Sequence, residues 1–280
     1  MEKIRKNKKV IAVFLIPAVL IYLCFELIPV VMSVYFSFND WPGLQAVPLK
    51  FVGFKNYSNL FHNAVFLKSL QNVLIYVVVS VILQVPIGFG LGLLIHHFKK
   101  GQRFFKAAFF IPMILSVTAV ALLWNFIYFP TDKGILNSLL IKIGLGNYIQ
   151  QWLVNPKTSL ICLIVVSTWT SVGYYMIICL AGLTSIPDSV LEAGELDGAT
   201  GWKKIWNLYI PMLWEPLKMS TIMVITGVLK IFDTVYILTP TGGTSNCTIV
   251  PALLMYNEAY RYGHYGTGSA IATVIFVLSA

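Results

Sequence analysis

The sequence predicts an all-α, polytopic membrane protein with about six transmembrane helices. The 280 residues are 58% hydrophobic and only 11% charged, which is less than half of the ~25% charge of a soluble domain. Three long runs, 69–98, 107–131 and 158–187, contain no Asp, Glu, Lys or Arg. A membrane-spanning helix needs ~20 mostly apolar residues, because an ion near the bilayer centre is costly. The composition therefore excludes an ordinary water-soluble globule.

The apolar runs predict one transmembrane domain over residues 1–280. Its spans are expected at about 10–38, 70–96, 107–129, 158–184, 215–238 and 266–280. The last span is expected to be truncated, since the sequence ends inside the predicted helix. Glu26 and Pro29 interrupt the first span, and Lys230 and Asp233 interrupt the fifth. Because Lys230 and Asp233 are three residues apart, we expect them to pair on one helix face.

The distribution of Lys and Arg predicts the orientation. With the N-terminus inside, the cytoplasmic segments carry twelve of these residues and the longer outer loops carry seven. Cytoplasmic loops are enriched in Lys and Arg, so the N-terminus is expected in the cytoplasm and the protein in the plasma membrane. A cleavable signal peptide over 1–25 is an alternative. The apolar run continues to Phe38 without an A-x-A-like site, which favours a retained helix.

The residue types that carry catalysis or bind metals do not form recognisable patterns in the sequence. Most of the net charge of +9 lies beside apolar runs, which indicates a membrane surface and not nucleic acid. The four cysteines lack a C-x-x-C spacing, and no G-x-x-x-x-G-K-[ST] loop for ATP is present. A membrane-embedded enzyme lacks support, because no cluster of His, Cys or paired carboxylates is placed at membrane depth. We expect no catalytic residue, metal or cofactor in this chain.

One polar segment, 185–211, stands out between the fourth and fifth spans, on the predicted cytoplasmic side. Ser185, Pro187 and an acidic first turn predict a helix start. The glycines of 197–201 predict a turn, and aromatic and apolar residues then recur at helical spacing. The segment holds four of the eleven acidic residues: Asp188, Glu192, Glu195 and Asp197. It is either a helix-turn-helix that offers acids to a basic partner or an interfacial loop helix.

The segment 192–199 (EAGELDGA), followed by Ile205, Leu208, Ile210 and Pro211, resembles the EAA signature of permease subunits in binding-protein-dependent ABC importers. The signature reads E-A-A-x-x-D-G-A and continues to I-x-L-P. Two departures are visible. Gly194 replaces the second Ala, which weakens helix propensity by about 1 kcal/mol in an exposed interior. Tyr209 precedes Ile210 and Pro211 where the signature has I-x-L-P.

Further landmarks of the sugar-transport branch, the maltose and glycerol-phosphate type, occur along about 250 residues. The segment 51–57 (FVGFKNY) is similar to the family's passage after span one. Trp124, Gly134 and Asn137 match its passage after span three. The remaining matches are 181–187 (AGLTSIP), 232–239 (FDTVYILT) and Gly242-Gly243, although Thr244 stands where the family has Pro.

The resemblance implies a permease subunit of an ATP-driven importer. Such a subunit forms a pathway with a second, homologous permease, identical or different, and receives its solute from an extracytoplasmic binding protein. The 185–211 segment would be the coupling helix on an ATP-binding subunit, where Glu192, Ala193, Asp197 and Gly198 match the signature. ATP and Mg would be used by that partner alone. From the residues alone, Asp197 has an alternative role as a cap on the second helix.

The scarcity of charges within the spans bears on the solute. The main alternative, an ion-coupled secondary carrier, usually requires a relay of acidic or His residues within the spans. The sequence shows no such relay, which suits a neutral solute rich in hydroxyl groups. Aromatic faces with amide or hydroxyl partners bind such solutes. The resemblance to the sugar-transport branch implies a carbohydrate, without distinguishing sugars, polyols or glycerol phosphates. The candidate pathway residues are Trp124, Asn125, Tyr128, Trp169, Tyr174, Tyr175 and Tyr236.

Overall fold

The computed structural model describes residues 8–44, 46–98 and 100–280, with side-chain surroundings described from residue 12 onward. The predicted basic start of the chain, 1–7, and Lys99 lie outside the described residues. The helices are α1 (Lys8–Tyr22), α2 (Ile28–Ser37), α3 (Lys55–His62), α4 (Ala64–His97), α5 (Gln102–Ile114), α6 (Val117–Ile127), α7 (Ile135–Lys142), α8 (Ser159–Thr184), α9 (Asp188–Leu196), α10 (Trp202–Lys204), α11 (Ile210–Met212), α12 (Trp214–Leu229), α13 (Asp233–Leu238), α14 (Pro251–Tyr256) and α15 (Tyr265–Ser279).

The other regular elements are short. Two strands of two residues, β1 (Asn39–Asp40) and β2 (Lys50–Phe51), form an antiparallel pair in which Asn39 faces Phe51. The structure also has short 3₁₀ turns at Gly146–Tyr148 and Thr244–Asn246, and π-helical turns at Leu23–Leu27, Ile205–Tyr209 and Asn257–Arg261. The predicted all-α class is confirmed.

The chain divides into two compact units. The first contains residues up to 64 together with 254–278, and the second contains 65–253 together with 279–280. In the first unit, Gly266 approaches the carbonyl oxygen of Asn39, and a Cβ at residue 266 would lie only 2.0 Å from it. In the second unit, α5 packs along α8 and α13 packs along α6.

Among the described residues, three continuous helical segments are long and apolar enough to cross a membrane: Ala12–Ser37, Ala64–His97 and Ser159–Thr184. They coincide with the runs expected at 10–38, 70–96 and 158–184. The first contains the π-helical turn Leu23–Leu27. Pro29 lacks an N–H and its ring crowds the carbonyl four residues earlier, so the helix accommodates it by widening one turn.

The expected third span, 107–129, is not one straight helix. It is divided into α5 and α6, which meet at an angle of 98°. Pro112 weakens the last turn of α5. Ser116 then has an extended backbone, and its Oγ accepts a hydrogen bond from the N–H of Ala119 at 3.2 Å, which caps α6. The absence of charge therefore marked an apolar run but not its bend.

The expected fifth span, 215–238, is also interrupted. Helix α12 ends at Leu229, and α13 begins at Asp233 after a short break. Lys230 and Asp233 are both exposed, and among the described residues no ion pair joins them. The expected pairing was wrong, because it required one continuous helix through both residues. The sixth expected span, 266–280, corresponds to α15, which has 15 residues.

Two sequence landmarks are asparagines that hold loops together. Asn56 is buried and donates from its side-chain amide to the carbonyl oxygens of Ser37 at 2.8 Å and Asn39 at 3.0 Å. Asn137 is fully buried and donates to the carbonyl oxygens of Phe129, Thr131 and Gln150, at 3.0–3.3 Å. Each buried amide is thereby satisfied, and it joins backbone carbonyls of neighbouring segments.

Candidate functional site

The segment 185–211 forms a helical hairpin, here called the coupling hairpin. Its first arm is α9, and its second arm is the helical segment Trp202–Met212. Pro187 precedes α9 in an extended conformation, and Asp188 lies in the first turn, near the positive end of the helix dipole. The predicted Ser185 cap was wrong. Because α8 continues to Thr184, the Ser185 hydroxyl donates to the Gly182 carbonyl at 2.7 Å instead.

Gly198 ends the first arm in a Schellman motif. The N–H of Ala199 donates to the carbonyl of Gly194 at 2.8 Å, and the N–H of Gly198 donates to the carbonyl of Glu195 at 3.1 Å. The motif requires a left-handed residue, and Gly198 has φ +82°. Asp197 is the C-cap of α9, and Gly201 precedes the second arm. Asp197 therefore does not cap the second helix.

Apolar contacts fix the base of the hairpin. Leu183, Ile186 and Leu213 are buried together at the point where both arms leave the spans. Partly buried residues of both arms pack on this cluster, among them Val190, Leu191 and Tyr209. The second arm then meets α12 at an angle of 73°. The base is thus anchored to the same helices, α8 and α12, that lie within the membrane-spanning runs.

Gly194, one departure from the EAA signature, lies close to Leu208 of the second arm. A Cβ at this position would lie 3.2 Å from Cδ2 of Leu208 in the second arm. An alanine would therefore require Leu208 to move by a few tenths of an ångström. The glycine accommodates the close approach of the arms.

One ion pair joins the arms on their polar side. The Nζ of Lys204 lies 2.6 Å from a carboxylate oxygen of Glu195, and Lys204 also lies over the ring of Tyr209 at 5.6 Å. The hydrogen bond to Glu195 raises the pKa of the Lys204 ammonium. The Lys204 ammonium is therefore retained at neutral pH.

The outer surface of the hairpin has a different character. We call Glu192, Ala193, Leu196, Asp197 and Gly198 the hairpin crest. All five are exposed, and Leu196 is 90% exposed. Positions 192, 193, 196 and 197 share one face of the helix. Within the described part of the chain, neither Glu192 nor Asp197 has an ion pair. The crest presents two carboxylates and an apolar side chain on a rigid support, which suits a basic, partly apolar partner.

A second candidate site lies within the membrane-spanning part of the second unit. It is a cavity of about 260 Å³, to which α4, α6, α8, α12 and α13 contribute. Apolar residues form much of its wall. Its polar lining consists of Gln84, Ser167, Thr170, Ser171, Tyr175 and Thr234. Such a mixture of amide, hydroxyl and aromatic groups can bind a neutral polyol by hydrogen bonds and ring contacts.

Of the seven pathway residues expected from the sequence, Tyr175 lines this cavity. Its neighbour Tyr174 donates its hydroxyl to the sulfur of Met223 at 3.8 Å, and the two tyrosine rings lie 5.6 Å apart. Met223 also lines the cavity. Asn125 is half-buried. Tyr236 stacks on Phe232 with ring centroids 5.1 Å apart.

The other three expected aromatics form a cluster. Trp124 lies 5.8 Å from Trp169 and 5.1 Å from Tyr128, measured between ring centroids. Tyr128 is buried, and its hydroxyl lies 3.4 Å from the carbonyl oxygen of Cys162. Among the described residues, Trp124 Nε1 is one of the buried side-chain polar atoms without a hydrogen-bond partner. This N–H is available to a polar ligand.

Sequence reasoning did not select the hydroxyl face of the cavity. Ser167, Thr170 and Ser171 are spaced by three and four residues and so share one face of α8. That spacing was visible in the sequence as a polar stripe on an apolar span. The hydroxyls of Ser167 and Thr170 donate to the carbonyls four residues earlier, at 2.8 Å. The oxygen of Thr170 remains able to accept, whereas that of Ser167 also forms a hydrogen bond with the Tyr76 hydroxyl.

Comparison with known proteins agrees with this architecture. Residues 84–280 match the family model of the binding-protein-dependent transport system inner membrane component. The chain is 36% identical over 279 residues to the probable ABC transporter permease protein YurN of Bacillus subtilis, covering 99% of this chain and 94% of the relative. It is 32% identical over 267 residues to the lactose transport system permease protein LacF of Rhizobium radiobacter, covering 95% of this chain and 87% of the relative.

The fold is similar to that of a solved bacterial ABC transporter involved in the import of the acidic polysaccharide alginate. The TM-score is 0.83 at 23% identity, covering 99% of this chain and 94% of that chain.

Proposed function

Because the chain belongs to the binding-protein-dependent transport system inner membrane components, we propose that it is the permease subunit of an ATP-driven carbohydrate importer. The coupling hairpin transmits force from an ATP-binding subunit. The observation that carries this proposal is the exposure of Glu192, Ala193, Asp197 and Gly198 on a hairpin whose base is buried.

The hairpin has the properties of a lever. Its base is continuous with α8 and α12, so a push on the crest displaces helices that line the cavity. The arms are held together by the Glu195–Lys204 pair and by the close contact at Gly194. Rocking of packed helices between two states is an established way to convert such a displacement into alternating access.

The energy source is proposed to be a separate chain. The sequence lacks a G-x-x-x-x-G-K-[ST] loop, so ATP and Mg would be bound by the partner. The permease itself is a non-catalytic subunit. The orientation follows from the Lys and Arg distribution, which favours a cytoplasmic N-terminus in the plasma membrane and a cytoplasmic hairpin.

A carbohydrate is the proposed solute. The relative LacF is named for lactose transport. The cavity in this chain is lined by amide, hydroxyl and tyrosine side chains and by no charged side chain. Trp124, Asn125, Tyr128, Trp169, Tyr174, Tyr175 and Tyr236 are proposed to lie along the pathway. An extracytoplasmic binding protein would deliver the solute. The outer segment 239–261, rich in Gly, Thr and Tyr, is its proposed docking surface.

A second permease subunit is proposed to cover the first span. No residue of the most apolar window of Ala12–Ser37 is buried in this chain. Glu26 lies near the middle of that segment, is exposed, and has no ion pair among the described residues. An acid at membrane depth normally faces protein and has a polar partner. A neighbouring transmembrane subunit provides such a partner, whereas lipid tails do not.

Reconstitution tests the proposal. The permease pair, the ATP-binding subunit and the binding protein are placed in proteoliposomes with radiolabelled sugars. Uptake should require ATP and every subunit. Uptake by this chain alone, driven by a proton or sodium gradient, would overturn the proposal in favour of a secondary carrier.

A further inference from the structure

An apolar groove on the second unit lies outside the proposed coupling contacts. It has a volume of about 810 Å³ and runs between the C-terminal half of α4 and the second arm of the coupling hairpin with α12. Three tryptophans, Trp202, Trp206 and Trp214, line it, and each is more than half exposed. Exposed tryptophans are typical of the interface between water and membrane.

The groove has the depth of one membrane leaflet. Along α4 its lining extends from Val85 to His97, which at 1.5 Å per residue is about 18 Å. Half of the ~30 Å hydrocarbon core is about 15 Å. Along α4 the lining is apolar from Val85 to Leu94 and ends at His97. This order matches a phospholipid, whose chain lies deep and whose headgroup lies at the surface.

A lysine adjoins the lining of the groove. Lys203 follows the lining residue Trp202 directly in the chain. Lys203 is exposed and has no ion pair among the described residues. Lys218, one turn after Trp214, is exposed and pairs with Glu215 at 2.7 Å. An anionic headgroup complements the charge of Lys203, whereas the cytoplasmic end of another transmembrane helix, itself enriched in Lys and Arg, would be repelled.

The wall of the groove leaves space for a chain. Gly90 lines it at mid-length, and a Cβ added there would meet no atom within 4 Å. A methyl group is therefore tolerated, whereas a leucine side chain would extend into the groove. Gly88 differs, since a Cβ there would lie 2.7 Å from Cβ of Tyr175. Gly90 thus offers a steric block that leaves helix packing intact.

We propose that this groove binds the acyl chain of an anionic phospholipid from the cytoplasmic leaflet, with its headgroup at His97 and Lys203. This inference rests on the proposed orientation of the coupling hairpin. The bound chain fills the space between α4 and the second arm, so the lipid supports the position of the lever.

Native mass spectrometry of the purified importer complex tests the site, with phosphatidylglycerol as the anionic probe and phosphatidylethanolamine as the zwitterionic comparison. The wild type and Gly90→Ala should retain phosphatidylglycerol, and Gly90→Leu should lose it while all subunits remain associated. Lys203→Gln should weaken phosphatidylglycerol binding about fivefold and leave phosphatidylethanolamine unchanged. Equal retention of phosphatidylglycerol by Gly90→Leu and wild type would overturn the proposal, as would equal binding of the two lipids.

A further outcome assigns the groove to another occupant. Loss of the second permease subunit from Gly90→Leu, but not from Gly90→Ala, would make the groove a subunit interface and overturn the lipid site. The result is separable from the proposed function, because lipid retention is measured without transport. A complex that imports sugar but holds no phosphatidylglycerol contradicts the lipid site alone. A complex that holds the lipid but transports without ATP contradicts the proposed function alone.

Discussion

The hairpin crest and the loop asparagines both coincide with landmarks of the family, yet their side chains have opposite surroundings. Asn56 and Asn137 are buried, and their amides donate to backbone carbonyls. Glu192 and Asp197 are exposed and lack ion pairs within the described ranges. A buried polar group that is satisfied internally serves the fold. An exposed group on a rigid support is available to a partner. The same resemblance therefore covers two physical roles, which variants can separate.

The largest effect is expected at the crest. Gly198→Asp should abolish ATP-driven uptake, because a charged side chain is placed where the partner approaches closely. The backbone cost is moderate, since Asp tolerates the left-handed conformation better than most residues. Uptake in proteoliposomes and the amount of protein in membranes should be measured together.

The matched control for this variant is Gly198→Asn, which has nearly the same shape and no charge. Both variants should insert at the wild-type level. Wild-type uptake by Gly198→Asp would remove the crest from the coupling contact. Loss of the protein from membranes in both variants would assign Gly198 to folding instead.

Substitution of the loop asparagines should lower the stability of the protein and leave uptake unchanged, the reverse of the effect expected at the crest. Asn137→Ala leaves the carbonyls of Phe129, Thr131 and Gln150 without this donor, which should lower the free energy of unfolding by about 2–4 kcal/mol. Thermal unfolding in detergent measures this loss, while uptake per folded molecule should stay near wild type. The exposed Asn147 provides the control, since Asn147→Ala should change stability by less than about 0.5 kcal/mol. Equal effects at 137 and 147 would contradict the assignment.

The cavity is intermediate between the buried asparagines and the exposed crest. The Thr170 hydroxyl donates to a carbonyl within α8 and also lines the cavity. Thr170→Val should raise the KM for the transported sugar about fivefold, the value of one hydrogen bond of about 1 kcal/mol. Thr226→Val is the matched control, because its hydroxyl also donates four residues back and does not line the cavity. Initial uptake rates over a range of sugar concentrations distinguish them. An unchanged KM in Thr170→Val would place the pathway elsewhere.

The smallest effect is expected at the ion pair between the hairpin arms. Glu195 is about half exposed, and exposed pairs contribute roughly 0–1 kcal/mol. Glu195→Gln should therefore leave uptake within about twofold of wild type at neutral pH. A loss comparable to that of Gly198→Asp would mean that Glu195 belongs to the contact surface. Uptake at low and high salt provides the measurement.

Much of this architecture is predictable from the sequence because a membrane imposes simple rules. Uninterrupted apolar length located the helical segments Ala64–His97 and Ser159–Thr184, and the acid and glycine pattern located the coupling hairpin. The charge-free run 107–131 did not indicate the bend between α5 and α6. Hydropathy indicates the length of an apolar segment but not the direction of its helix axis. The bend depends on two local features: Pro112 weakens the last turn of α5, and Ser116 caps the start of α6.

The site was predictable to a lesser degree. Four of the crest residues, Glu192, Ala193, Asp197 and Gly198, could be taken from the signature, because their spacing is local. The cavity could not, because its lining comes from five helices distant in sequence. Aromatics were selected for their chemistry, yet Trp124, Tyr128 and Trp169 cluster with one another. The hydroxyl stripe of α8 was overlooked because Ser and Thr within a span also satisfy themselves by bonding to the preceding turn.

The central claim is that the hairpin crest contacts the ATP-binding subunit, and photo-cross-linking tests it most directly. A benzophenone maleimide is attached to Ala193→Cys in a Cys24→Ala background, since Cys24 is exposed and the other three cysteines are buried. Irradiation of the transport-active complex should join the permease to the ATP-binding subunit. The exposed Ser58→Cys should give no such product, because its helix is expected on the opposite side of the membrane. An active complex in which position 193 gives no cross-link, or position 58 gives the same one, would contradict the account.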